Sequence, residues 1–125
     1  MESLFKQKWF VEGFNAYEPD KKVIKNISKH LKKHSIEIHL SLYCKDVRAL
    51  MPIFFKVLNT SGFKDYKINY IKKGGLPYIT NRNEIIIKIP TIIFYEKTGR
   101  MKGKIIESIM IMPTIEREVL QIINY

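Results

Sequence analysis

Residues 40 to 59 read Leu40-Ser41-Leu42-Tyr43-Cys44-Lys45-Asp46-Val47-Arg48-Ala49-Leu50-Met51-Pro52-Ile53-Phe54-Phe55-Lys56-Val57-Leu58-Asn59. An apolar strand runs into a helix here, with the only cysteine of the chain at the joint. Upstream, Ile36-Glu37-Ile38-His39-Leu40 alternates apolar and polar residues with the period of two that a half-buried strand requires. The helix is apolar on nearly every side, so neighbours must cover most of its surface. Pro52 lies inside it, eight residues after Cys44, where it removes a backbone hydrogen bond and should bend the axis. A thiol at a helix N-terminus faces unpaired N–H groups and the positive end of the helix dipole, both of which favour thiolate. Cys44 is therefore the candidate functional atom.

Downstream, Thr60-Ser61-Gly62 ends the helix and Lys67-Ile68-Asn69-Tyr70-Ile71 forms a second strand. From Lys72 to Lys88 the chain is broken by Gly74-Gly75 and Pro77, with one helical turn expected at Asn81 to Glu84 before Ile85-Ile86-Ile87. That is a long connection for a compact domain, which points to structure or a functional loop within it. Thr91 to Tyr95, a turn at Glu96 to Gly99 and a return strand from Arg100 to Ile106 make a hairpin. Pro113 and Thr114 start a last helix, with Ile115, Val119, Ile122 and Ile123 on its inner face. Before the central stretch, Ser3 caps a helix bearing Leu4, Phe5, Trp9, Phe10 and Phe14, an aromatic face that covers the core edge. Asp20 caps a second helix running to about His34. Its Val23, Ile24, Ile27 and Leu31 face inward, and Lys21, Lys22, Lys25, Lys29, Lys32 and Lys33 face outward. His30 and His34 lie four apart on that helix; with no acid or cysteine ligand beside them, they are read as surface histidines and no metal is assigned.

With 125 residues, 46% of them apolar, the chain can bury one core and reads as one compact domain. No apolar run approaches the ~20 residues that cross a bilayer. The opening Met1-Glu2-Ser3-Leu4-Phe5-Lys6 has no apolar export segment, so a cytoplasmic location and no membrane contact are expected. A single cysteine excludes an internal disulfide. The balance of 22 Lys+Arg against 12 Asp+Glu gives a formal +10, a field that attracts anions but is screened by cellular salt. Lys rather than Arg dominates the densest basic group, which fits a solvated helix face better than base or phosphate readout. No cofactor is assigned.

The order is helix, helix, strand, helix, strand, irregular segment, strand, strand, helix, an α/β fold. A strand-helix-strand unit closes as a right-handed parallel pair, the hairpin extends that small mixed sheet, and helices are expected on both faces. This order, with Tyr43-Cys44-Lys45-Asp46-Val47-Arg48, Pro52, Ile89-Pro90-Thr91, Phe94-Tyr95, Gly99 and Gly103, resembles the thioredoxin superfamily. The Cys-x-Asp-x-Arg form is similar to small bacterial thioredoxin-like proteins. The resemblance implies a thioredoxin-like three-layer sandwich over residues 20–125, preceded by an N-terminal helical extension over residues 1–19. It implies that Cys44 is a redox thiol facing a cis peptide at Ile89–Pro90. Ile89, Pro90 and Thr91 would then dock an extended peptide beside Tyr43, Lys45 and Asp46.

The departures from that pattern are chemical. Val47 stands where the family carries a second, resolving cysteine, and the family's buried aspartate would fall near Ile38. Both losses touch the half-reaction in which a mixed disulfide is released. The third family helix is reduced to the 72–88 segment. Three readings follow. The first is monothiol exchange with a protein or peptide thiol or disulfide, resolved by an external thiol such as glutathione. The second is a non-catalytic protein- or peptide-binding module using the same surface. The third is an anion or nucleic-acid binder working through the Lys-rich helix.

Overall fold

The computed structural model describes residues 3–106 and 112–124. Four strands, β1 (His34–Leu40), β2 (Tyr66–Tyr70), β5 (Thr91–Glu96) and β6 (Met101–Ile106), form one sheet in the order β2-β1-β5-β6. β1 and β2 are parallel, with Ile38 opposite Ile68, and α3 (Lys45–Thr60) supplies the crossover that a parallel pair needs. β5 runs antiparallel to β1, with Ile38 opposite Ile92, and β6 runs antiparallel to β5. Gly99, at φ +97°, takes the left-handed conformation in the β5–β6 turn.

The two-residue period of the strands sorts their side chains. Ile36, Ile38 and Leu40 join Ile92, Phe94 and Ile105 in the main core. All the helices lie on that side: α1 (Lys8–Ala16) contributes Phe10, α2 (Lys21–His30) Ile27, α3 Phe54 and Leu58, and α4 (Ile115–Ile123) Val119. The other sheet face carries no helix among the described residues. It is covered by a small hairpin, β3 (Tyr78–Ile79) and β4 (Ile85–Ile86), where Ile86 packs on Ile93 and Tyr95, flanked by Ile71, Leu76, Tyr78 and Ile89.

The expectation of helices on both faces is thus corrected, and the composition of 72–90 explains why. Glycine costs about 1 kcal/mol and proline about 3 kcal/mol inside a helix, and this segment holds two of each among β-branched isoleucines. The helical turn expected at Asn81 to Glu84 is the hairpin loop instead. Asn83 sits at φ +63°, the Thr80 N–H donates to the Glu84 carbonyl at 2.8 Å, and Thr80 Oγ1 accepts from the Glu84 N–H at 3.1 Å. A side chain that bonds its own loop in this way favours a turn over a helix.

Local signals set the helix limits. The Asp20 carboxylate accepts from the Lys22 and Val23 N–H groups at 2.9 and 3.3 Å, and Thr114 caps α4 through the Arg117 N–H. α3 ends at Gly62 (φ +74°), where Phe63 N–H donates to Leu58 O and Gly62 N–H to Asn59 O, both at 3.0 Å, closing the last turn. α2 is shorter than the sequence suggests. Leu31–Lys33 tighten into a 3-10 turn and His34 is already the first residue of β1, buried, with Nδ1 3.0 Å from the His30 carbonyl. His34 is therefore a core residue rather than a surface one, and the two histidines do not share a helix.

The aromatic N-terminal stretch divides into a 3-10 turn, Leu4–Lys6, capped by Ser3, and α1. Leu4 and Phe10 sit in the same core cluster as the sheet, and Leu4 N–H donates to the Tyr70 hydroxyl at 3.0 Å. α1 lies close on α3 because Gly13 has no Cβ; one placed there would lie 2.8 Å from Cβ of Pro52. The link from α1 to α2 is tied to α4 by Glu116, which is buried and accepts from Tyr17 Oη at 2.5 Å and from Asp20 N–H at 2.7 Å. Burial, then Glu116, pushes the Tyr17 phenol up, so it stays a donor. Among the described residues no helix is long and apolar enough to cross a membrane.

Candidate functional site

β1 delivers the chain to a short turn, Ser41 to Tyr43, and Cys44 follows as the N-cap of α3 in extended conformation (φ −86°, ψ 130°). The turn is fixed from within: Cys44 N–H donates to Ser41 O at 3.3 Å, and Tyr43 N–H to Ser41 Oγ at 3.4 Å. Arg48, one turn into α3, holds it from outside, with Nε donating to Leu42 O at 3.3 Å and the guanidinium 5.5 Å from the Trp9 ring centre. Placing a half-buried thiol at the cap of a helix that is itself packed on both sides gives the sulfur a defined position.

Opposite it lies the start of β5. The Cys44 thiol donates to the Ile89 carbonyl at 3.7 Å across 45 residues of sequence, and the Ile89–Pro90 peptide is cis. Pro90 is buried, and Thr91 is fixed by a 2.6 Å bond from its hydroxyl to Lys88 O. The structure therefore gathers Cys44, Ile89, Pro90 and Thr91. Tyr43, 87% exposed, stands beside the sulfur in sequence, followed by exposed Lys45 and half-buried Asp46. Val47 points into the main core, fully buried, as does Ile38. The lysines of α2 and the turn after it are exposed. Among the described residues no three His, Cys, Asp or Glu side chains are grouped to hold a metal ion.

With this geometry in hand, comparison with known proteins adds an architectural match. The fold recurs elsewhere. A crystal structure of a protein of unknown function, PA1234 from Pseudomonas aeruginosa, superposes with a TM-score of 0.72 at 12% sequence identity, covering 98% of this chain and 86% of that chain. At such identity the likeness is one of fold alone. No family model and no curated protein matches the chain.

A second group of polar side chains, which sequence reasoning missed, lies under the hairpin on the other sheet face. His39, buried on β1, has Nε2 2.7 Å from Glu37 Oε1 and Nδ1 hydrogen-bonded to the Tyr78 hydroxyl, which also accepts from Asn69 Nδ2 at 2.9 Å. Burial holds the imidazole below its ordinary 6.5, outweighing the pull of Glu37. The neutral ring donates from Nε2 to Glu37 and accepts at Nδ1 from Tyr78, which pins the hairpin to the sheet. Half of this signal was readable, because His39 and Asn69 occupy polar positions of two alternating strands and pair across them. Tyr78 belongs to a segment whose fold the sequence left open.

A pH dependence follows from this burial. His34, like His39, is held below 6.5, chiefly by burial. Above about pH 7 neither contributes a slope. As pH falls through 6.5 the unfolded chain takes up protons that the native chain refuses, so stability falls by at most about 1.4 kcal/mol per pH unit per histidine. Urea unfolding at about pH 8 and about pH 5.5 should show this loss, and His39→Gln should roughly halve it. Equal midpoints at both pH values would show that these rings are not protonated selectively in the unfolded chain.

Proposed function

We propose that the chain is a thioredoxin-like protein in which Cys44 performs monothiol disulfide exchange. The observation that supports this most directly is the Cys44 thiol set against the backbone of Ile89, at a helix cap and beside a cis prolyl bond. The strand order and the layering of helices, sheet and hairpin are those a reduced thioredoxin-like sandwich would have, with the hairpin as a thin third layer.

The chemistry runs in two balanced steps. The Cys44 thiolate attacks one sulfur of a substrate disulfide, forming a mixed disulfide and expelling the other sulfur as thiolate. With no thiol at Val47, an external thiolate, from a low-molecular-weight thiol or a partner cysteine, then attacks the substrate sulfur and releases Cys44 as thiolate. The net result is exchange of one thiol for another on the substrate. The Ile89 carbonyl, which accepts the thiol S–H, keeps a second lone pair with which to accept an N–H from an extended peptide.

One observation favours a second reading, that of a docking module without covalent chemistry. Tyr43 and Ile87, 87% and 66% exposed, are large apolar side chains left uncovered on the segments that lead into Cys44 and Ile89. Trapping in cells separates the two. Under the exchange reading, tagged wild-type protein carries disulfide-linked partners that reductant releases and Cys44→Ala never acquires. Partners held equally by Cys44→Ser, with no adduct on the wild type, would establish docking instead.

A further inference from the structure

We propose that Glu37, His39 and Tyr78 form a second reactive site, which hydrolyses a small uncharged ester through an acyl group carried on the Tyr78 hydroxyl. The three side chains are bonded in series: Glu37 Oε1 lies 2.7 Å from His39 Nε2, and His39 Nδ1 is hydrogen-bonded to the Tyr78 hydroxyl. A carboxylate only accepts, so the proton of the neutral ring sits on Nε2 and the bare Nδ1 faces the phenol. Burial, against the pull of the Asn69 bond, pushes the phenol up, so it keeps its proton until a base takes it. A hydroxyl in reach of a base that a third group orients is the arrangement that activates a nucleophile. His39, only 2% exposed, is held in that role from both sides.

All three residues line one cavity of about 280 Å³ between the sheet and the hairpin, where Lys67, Asn69, Thr80 and Asn81 add donors to the wall. That volume is just below the roughly 300–1,000 Å³ of drug-sized sites, which limits the occupant to a small molecule. Its charges cancel, since Glu37 and Lys67 stand opposite each other on β1 and β2 and His39 is neutral. An uncharged ester suits that balance, whereas a phosphate ester would bring its anion against the Glu37 carboxylate. Negative charge arises only when the carbonyl is attacked, and Lys67 supplies the counter-charge. In the first step the Tyr78 oxygen bonds to the acyl carbon, its proton passes to His39 Nδ1, and the alcohol leaves with that proton. In the second, water gives a proton to Nδ1 and attacks the tyrosyl ester, and the phenol departs and recovers its proton. Asn69 Nδ2, 2.9 Å from the phenol oxygen, stabilises it as it leaves.

Acid-quenched peptide mapping after exposure to 4-nitrophenyl acetate tests this, in a Cys44→Ala chain that lacks the competing thiol. Half-buried Tyr78 should be acetylated at least about tenfold faster than Tyr43, although Tyr43 is 87% exposed. The label should disappear once the ester is exhausted, because water removes it. The groups around the His39 ring are Glu37 on β1, Lys67 and Asn69 on β2, Tyr78 on the hairpin and uncharged Thr91 on β5. With that ring as base, Tyr78 labelling should be level between about pH 7 and 9, whereas an unassisted phenol gains about tenfold per pH unit below its ordinary pKa near 10. His39→Gln should slow Tyr78 labelling about 100-fold or more and restore the tenfold rise, at an unchanged circular dichroism. Labelling of Tyr78 no faster than of Tyr43, a label that persists, a tenfold rise per pH unit in the chain with His39 intact, or undiminished labelling in His39→Gln would each overturn the proposal and leave the three side chains as a latch for the hairpin.

Discussion

Truncation of Phe54 to alanine should lower the unfolding free energy by about 3–5 kcal/mol, read as a shift in the urea midpoint at constant slope. Phe54 is completely buried, with its ring edge-on to Phe55 at 5.6 Å and to Phe94 at 6.4 Å, so it fills the space between α3 and the central strand β5. Neither wall can move in to fill the void. β5 is hydrogen-bonded to a strand on each side, and α3 is held against α1 where Gly13 meets Pro52. A domain of this size is stable by only ~5–15 kcal/mol in all, so the substitution removes about a fifth of it or more. Tyr43→Ala, at an 87% exposed position, should change stability by no more than about 0.5 kcal/mol. Equal losses at the two positions would mean that α3 does not present Phe54 to the sheet.

The contrast between these residues also shows why some of the fold was legible and some was not. The strand into Cys44, the crossover helix and the Thr91 to Ile106 hairpin could be read because local period, caps and tertiary burial agree: each apolar position of Ile36, Ile38 and Leu40 is buried in the main core. The 72–90 segment could not. Its glycines and prolines say where helix is excluded but not what replaces it, and the covering hairpin depends on pairings such as Tyr78 with Ile86 and on the polar hold of Tyr78 on His39. The hold on His39 joins residues 39 positions apart, and no local pattern encodes it. The division of labour in the site is similar. Cys44 and Ile89-Pro90-Thr91 could be paired through a family resemblance, whereas the motif that includes Arg48 did not say that its guanidinium fixes the turn against Trp9.

Val47→Cys should raise the rate of insulin reduction by dithiothreitol well above that of the wild type. Helix geometry places the new thiol. Cys44 is the N-cap of α3 and Val47 its third residue, the two positions whose side chains face each other across a helix start. A thiol at 47 would lie next to the sulfur of Cys44, able to attack a mixed disulfide formed there, expel the substrate as thiolate and leave an internal disulfide for the reductant to reopen. Val47 is fully buried, so the new thiol is shielded from bulk oxidant and the exchange costs about 1 kcal/mol of packing, which the fold can absorb. The wild type should stay well below Val47→Cys, because each of its mixed disulfides waits for a collision with dithiothreitol, whereas a thiol at 47 attacks from within the same chain. Cys44→Ala in the Val47→Cys background should return the rate to the blank, since the attacking sulfur is then gone. Turnover by the wild type equal to that of Val47→Cys would show that resolution does not depend on position 47. A folded Val47→Cys chain that stays inert, with Cys44 still open to alkylation, would show that Cys44 is not placed for exchange, and would leave the docking reading in possession of the site.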